Sequence, residues 1–237
     1  MLFAAGLGTR LKEETFNKPK ALVEVGGKTL LERAIEKLAD VGVSKIVVNV
    51  HHYSQLLIDF IEGKNWHVPV LVSDESNLLL ETGGGLKNAA HLFSGTAPIL
   101  VYNVDILSDL DLKQVLKTHI ENESLATLVV RKRETQRYFM FDKEMQLVGW
   151  VNKKTGEKKT SRPNKFEGAT EFAFSGIHIV QPEIFDYLPE ENRFSIIKVY
   201  LELARDKKIL GFIDRSTLWM DVGKPLALEE ARRLFEV

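Results

Sequence analysis

Residues 29–50 read TLLERAIEKLADVGVSKIVVNV, and the change of period inside this stretch decides the fold. From Thr29 to Val41, the apolar residues Leu30, Leu31, Ala34, Ile35 and Leu38 recur at helical spacing and share one face. Thr29 with Glu32 fits a capping box, and Gly42 fits a helix stop. Lys45–Val50 is then β-branched and apolar, as a strand buried on both faces is. Outward from this unit, helix and strand signals alternate. Leu2–Ala5 is a short apolar run that ends at glycines. After the unit come helix Tyr53–Ile61, strand Pro69–Val72, helix Leu86–Phe93 and strand Ile99–Val104. Strands separated by helices of this length imply right-handed crossovers and a mainly parallel sheet, hence the α/β class.

The second half changes texture. Leu125–Arg131 reads as a strand, and Tyr138–Phe141 with Gln146–Val151 reads as a hairpin. Lys153–Lys165 is polar and basic, with Gly156 and Pro163, and is expected to be a mobile loop. Phe172–Val180 is a strong strand, Ser195–Ala204 a helix, and Ile209–Asp214 and Leu218–Trp219 are strand-like. Pro225 suits the first turn of a closing helix. With no repeat or linker, one mixed α/β domain over 1–237 is expected. Its halves are expected to be about 1–122 and 123–237.

Composition narrows the partners. The 237 residues are 44% hydrophobic and 27% charged, which is a globular mix. Lys and Arg total 32 against 33 for Asp and Glu, so the formal net charge of -1 argues against a nucleic-acid partner. Any bound anion must be met by a few local cations. The absence of Cys excludes disulfides, thiolate catalysis and Cys-based metal sites. No run reaches the roughly 18 apolar residues of a membrane helix. The opening Met1-Leu2-Phe3-Ala4-Ala5-Gly6 has no basic leader, so a cytoplasmic location is expected. No extra assembly segment is evident, and a monomer is expected.

Four motifs carry chemistry. Ala4-Ala5-Gly6-Leu7-Gly8-Thr9-Arg10 is a glycine-rich loop directly after the first strand, where backbone can approach a polyphosphate and Arg10 adds a planar fork. It lacks the third glycine of a dinucleotide fingerprint, since Leu11 occupies that place. In Lys18-Pro19-Lys20, the proline stiffens the backbone and positions Lys20. Glu81-Thr82-Gly83-Gly84-Gly85 is expected to precede a helix and to let a base or sugar lie against it, with free N–H donors at the helix start. Asp105 ends a buried strand and Asp221 lies between a strand and a helix; as a pair they suit Mg²⁺, with positions left for phosphates and water.

In order along the chain, AAGLGTR, KPKALVEV, ETGGG, NVD, FSGI and W-MDVG resemble the sugar-1-phosphate nucleotidylyltransferases. ETGGG, FSGI and the W-x-DVG ending are most similar to the N-acetylmuramic acid 1-phosphate uridylyltransferases of cell-wall recycling. The resemblance implies a Rossmann-like three-layer fold of the nucleotide-diphospho-sugar transferase type. It also implies Mg²⁺ dependence and transfer of a nucleoside monophosphate from a nucleoside triphosphate to a sugar 1-phosphate. By the same resemblance, Ala5, Gly6, Gly8 and Thr9 would cradle the triphosphate, Arg10 the leaving pyrophosphate, and Lys20 the α-phosphate. Glu81, Thr82 and Gly83 would lie near base and ribose. Asn103, Glu167 and Gly176 would face the sugar, and Asp105 and Asp221 the metal, Asp221 also bordering the sugar phosphate.

The residue chemistry agrees. The attacking group is already an oxyanion, so no strong general base is required, and the barrier is electrostatic. One pair of like unit charges at about 4 Å repels by about 1 kcal/mol in water and about 4 kcal/mol at an effective dielectric near 20. Several such pairs act together, so cations carry the catalysis. Two alternatives stay open: a guanylyltransferase acting on mannose or heptose 1-phosphate, and a non-catalytic regulatory subunit that senses nucleotide or sugar phosphate.

Overall fold

The structure, a computed structural model, describes residues 1–236. It begins with β1 (Leu2–Phe3), the hairpin β2 (Glu24–Val25) and β3 (Lys28–Thr29), α1 (Leu30–Val41), β4 (Ile46–Val50) and α2 (Ser54–Glu62). Then come β5 (Val70–Asp74), α3 (Glu81–Asn88), β6 (Ile99–Asn103), β7 (Ile106–Ser108) and α4 (Leu112–Glu121). The second half adds β8 (Ala126–Arg131), β9 (Arg137–Phe141), β10 (Leu147–Asn152), β11 (Lys158–Thr160) and α5 (Pro163–Phe166). After these follow β12 (Thr170–Val180), α6 (Ile196–Leu203), β13 (Ile209–Ile213), β14 (Trp219–Asp221) and α7 (Pro225–Phe235).

The helix read from residues 29–41 forms as its caps dictate. Thr29 Oγ1 accepts from Glu32 N at 3.1 Å, Glu32 Oε2 accepts from Thr29 N at 2.8 Å, and Gly42 ends the helix at φ 90°. Its apolar face packs on a ten-stranded mixed sheet. At the centre, β6, β1, β4 and β5 run parallel in that order. The long β12 pairs antiparallel with β6, β8 and β9, while β13 runs parallel to β8.

Helices cover both faces, and this explains the unbroken apolar strands. Along β4, Ile46, Val48 and Val50 join the core under α1, α2, α4 and α7, whereas Val47 joins the core under α3 and α6. On β6, Leu100 and Tyr102 take the first side, Ile99 and Val101 the second. The two-residue period places Asn49 and Asn103 on that second side, at the strand ends.

Three expectations need correction. The first strand stops at Phe3 instead of Ala5, because the next two backbone N–H groups turn to a side chain, described below. The helix expected from Leu86 begins at Glu81, so the three glycines lie inside α3, which gives way to a 3₁₀ turn at Ala89–Leu92. The expected loop 153–165 contains β11, an exposed Lys-rich edge strand paired with β10, and the first residues of α5. Edge lysines of this kind block further strand pairing. Among the described residues, no helix is long and apolar enough to cross a membrane.

Candidate active site at the strand ends

The carboxyl ends of β1 and β6 open into a cavity of about 220 Å³. That is below the roughly 300 Å³ floor of ligand-sized clefts, so it has room for only part of a ligand of that size. Ala4, Ala5, Gly6, Lys20, Asn49, Glu75, Glu81, Thr82, Asn103 and Asp105 are in its lining.

The glycine-rich loop hangs from β1 on one side chain. Asn49 Oδ1 accepts from Ala4 N at 2.7 Å and Ala5 N at 3.3 Å, and Asn49 Nδ2 donates to Glu75 Oε1 at 2.8 Å. The Ala5 N–H is thus engaged inside the protein, although Ala5 lines the cavity. Burial pushes the Glu75 carboxyl above the usual carboxylate range, against the hydrogen bond from Asn49. Among the described residues, none beyond its two chain neighbours comes within 4 Å of where a Gly6 Cβ would stand, which leaves that backbone open to the cavity. Gly8 is left-handed at φ 66°, and its carbonyl accepts from Thr15 Oγ1 at 3.1 Å. Thr9 and Arg10 begin the following 3₁₀ segment and are exposed.

Lys20, Asp105 and Arg10 meet at Gly223. A Cβ on Gly223 would stand 2.6 Å from Lys20 Nζ, 2.8 Å from Arg10 Nη2 and 2.9 Å from Asp105 Oδ2. Lys20 and Asp105 form an ion pair with both side chains mostly enclosed. Pro19, buried and extended, starts the turn that aims Lys20 inward. The ribbon of β7 and β14 brings in the second acid: Asp221 is registered opposite Ile106, and Val222 N donates to Asp105 O at 3.0 Å. Asp221 Oδ1 accepts from Gly223 N at 3.0 Å, and its Oδ2 is 3.7 Å from Arg10 Nη1. Both acids therefore sit beside the N-terminal loop. Asn103 faces Gly176, a left-handed residue at φ 78° in a register shift of β12; a Cβ there would lie 2.9 Å from Asn103 Nδ2.

Other expected positions fare differently. Glu81, at φ 62°, and Thr82 line the cavity; Glu81 is 3.4 Å from Arg193, and Thr82 Oγ1 accepts from Ile196 N at the start of α6. Gly83 does not offer a free surface. Its Cβ position lies 2.3 Å from the Phe194 ring, and both Gly83 N and Gly84 N donate to Phe194 O, at 2.9 and 3.2 Å. Gly83 and Gly84 thus accommodate the protein's own 192–196 segment, Gly85 lies against Glu75 and Asn49, and the Gly83 and Gly84 donors are occupied. Glu167 is not brought to the cleft either. It is exposed at the end of α5, and six residues of β12, on the order of 20 Å, separate Thr170 from Gly176.

Two site-lining residues, Asn49 and Glu75, escaped the sequence reading. Asn49 had a signal, one amide inside an apolar run buried on both faces. Glu75 had none, since Asp74-Glu75-Ser76 reads as an ordinary polar turn.

The donor pair Asp105 and Asp221 is oxygen-only and suits a hard divalent cation. Among the described residues, no group of three His, Cys, Asp or Glu side chains could hold a metal, so such an ion would need phosphate oxygens and waters to complete its shell. The pair fits an ion that arrives with a nucleotide.

An α/β fold with cations and acids gathered at its parallel strand ends defines a nucleotide-handling protein. The chain belongs to the nucleotidyl transferase family, whose model matches residues 1–236, and it is an enzyme of that class. It is 34% identical to the N-acetylmuramate alpha-1-phosphate uridylyltransferase of Caulobacter vibrioides, across 96% of this chain and 92% of that one. It is 28% identical to the mannose-1-phosphate guanyltransferase of Saccharomyces cerevisiae, covering 95% of this chain but 61% of the yeast protein. This chain therefore spans about three fifths of that relative's length. Among solved structures, HddC from Yersinia pseudotuberculosis superposes with a TM-score of 0.78 at 25% identity, over 99% of this chain and 98% of that one.

Proposed function

We propose that the protein transfers UMP from UTP to a sugar 1-phosphate, N-acetylmuramic acid 1-phosphate in particular, and releases pyrophosphate. The observation that carries this reading is the meeting of Arg10, Lys20 and Asp105 at Gly223, beside the open Gly6 backbone. The similarity to the Caulobacter uridylyltransferase over nearly all of both chains supports the choice of base and sugar.

In the reaction, a phosphate oxygen of the sugar 1-phosphate bonds to the α-phosphorus of the nucleotide. The bond from that phosphorus to the bridging oxygen breaks, and pyrophosphate leaves with the electron pair. Lys20 lies at the cavity wall, where it neutralises charge on the α-phosphoryl oxygens. Arg10, exposed at the rim, takes the departing pyrophosphate. Asp105 and Asp221 would hold Mg²⁺, which when bound supplies charge stabilisation to the phosphoryl oxygens. Asn103 and Gly176 border the sugar side. The whole chain 1–237 acts as one catalytic domain, with the nucleotide half at about 1–122 and the sugar half at 123–237.

A pyrophosphate-release screen crossing four nucleoside triphosphates with sugar 1-phosphates, with and without Mg²⁺, tests the proposal. Release that requires UTP and N-acetylmuramic acid 1-phosphate together supports it. Release with GTP and mannose 1-phosphate would move the assignment to a guanylyltransferase. Ligand-induced thermal stabilisation with no turnover across the panel would make the chain a sensor.

A further inference from the structure

Arg133 has no role in the chemistry above, yet it packs on Trp219 and on the β12 backbone two residues before Gly176. It lies two residues beyond β8 and is half-buried. Its Nη2 donates to Phe174 O at 3.0 Å, and its guanidinium carbon is 4.5 Å from the centre of the Trp219 ring. Trp219 Nε1 in turn donates to Ser175 O at 3.0 Å. Arg133 and Trp219 thus clamp the β12 segment that leads into Gly176. Trp219 and Asp221 alternate along β14 and share a face.

What distinguishes Arg133 is the missing acid. Its neighbour Arg131 has one, with Nη1 3.2 Å from Asp214 Oδ2. Among the described residues, no carboxylate lies within 4.0 Å of the Arg133 guanidinium, and its enclosed Nε–H has no acceptor. Burial holds the Arg133 pKa below the ordinary arginine value, and the charge of Asp221 opposes that shift. A half-buried cation held by the Phe174 and Glu134 carbonyls and an aromatic face, with N–H groups of its fork left over, is arranged for an oxyanion. It also offsets Asp221, which would otherwise repel an anionic sugar.

We propose that Arg133, stacked on Trp219, binds an oxyanion of the sugar substrate. Two groups supply that chemistry, the 1-phosphate itself or a carboxylate on the sugar. The inference rests on the sugar 1-phosphate reading above.

Steady-state kinetics of wild type, R133M and R133K test it. R133M keeps the apolar stem on Trp219 and removes the charge, whereas R133K keeps a charge without the fork. R133M should raise KM for the sugar 1-phosphate about tenfold to a hundredfold, the worth of one charge-assisted hydrogen bond, with KM for the nucleotide within about twofold of wild type. R133K should recover part of the loss. An equal rise for sugars with and without a carboxylate assigns the 1-phosphate; a rise confined to the carboxylate-bearing sugar assigns that group. An unchanged sugar KM overturns the proposal. So does a parallel rise in both KM values with a lowered Tm, which would mark a structural residue. If wild type turns over no sugar 1-phosphate, the functional reading fails separately. Thermal shift with N-acetylmuramic acid 1-phosphate then decides Arg133: a shift in wild type lost in R133M upholds it, and equal shifts or none overturn it.

Discussion

Replacing Asn49 by Ala should detach the glycine-rich loop from the sheet. Asn49 is 3% exposed, and the groups it serves, Ala4 N and Ala5 N, belong to residues 4% and 6% exposed. All three residues also line the cavity, so the loss is full only where cavity water does not reach the vacated acceptor position. An orphaned buried donor costs about 1–3 kcal/mol. Taking about 2 for the 2.7 Å contact and about 1 for the 3.3 Å contact, the variant should lose about 3 kcal/mol. Glu75 loses its donor too, and with that hydrogen bond gone burial raises its pKa further. For a chain of this size, about 3 kcal/mol lowers Tm by about 6–12 °C. Calorimetry reads the stability, and pyrophosphate release at varied nucleotide reads the loop, with KM for the nucleotide rising. N49D supplies the control. It restores the acceptor but sets two carboxyls face to face, so its stability should fall further below wild type as pH rises. An N49A Tm within about 2 °C of wild type, with nucleotide KM unchanged, would refute the suspension of the loop from Asn49.

Three further outcomes are expected. D105N removes the charge that faces Lys20 and should lower turnover at least about a hundredfold while the fold persists; activity within about tenfold of wild type would overturn the role of Asp105. G84A places a Cβ 2.0 Å from Asn192 O, and this overpacking should exceed the roughly 1 kcal/mol helix gain of alanine and lower Tm; a raised Tm would show that α3 and the 192–196 segment are not in contact. Burial lowers the pKa of His119 to about 4 and of His178 to about 3. Both stay neutral when folded but protonate near 6.5 when unfolded, so the stability they contribute is full above that pH and is lost as pH falls toward the folded values. At pH 5.5 each should remove about 1.4 kcal/mol relative to neutral pH, and urea titrations in which H119Q leaves that pH slope unchanged would contradict this.

Local chemistry was legible where it depends on neighbours in the chain. The helix at residues 30–41 is set by its own cap, its own apolar face and its own stop, and the unbroken apolar β4 and β6 announce burial on both sides. Lys20 follows the extended Pro19 as expected, whereas Asp105, expected to end a strand, lies in the turn between β6 and β7; their roles in the reaction are the proposal above. The sequence did not show that Gly83 and Gly84 are met by Phe194 and Asn192, because these lie about a hundred residues away. Glu167 failed for the same reason in reverse, since the length of β12 carries it away from the cleft. Asn49 holding the backbone of the glycine-rich loop, and Arg133 left without an acid, exist only once strands distant in sequence are paired. Hydrogen bonds and charges act over a few ångströms in space, and only the closed fold decides which residues come that near.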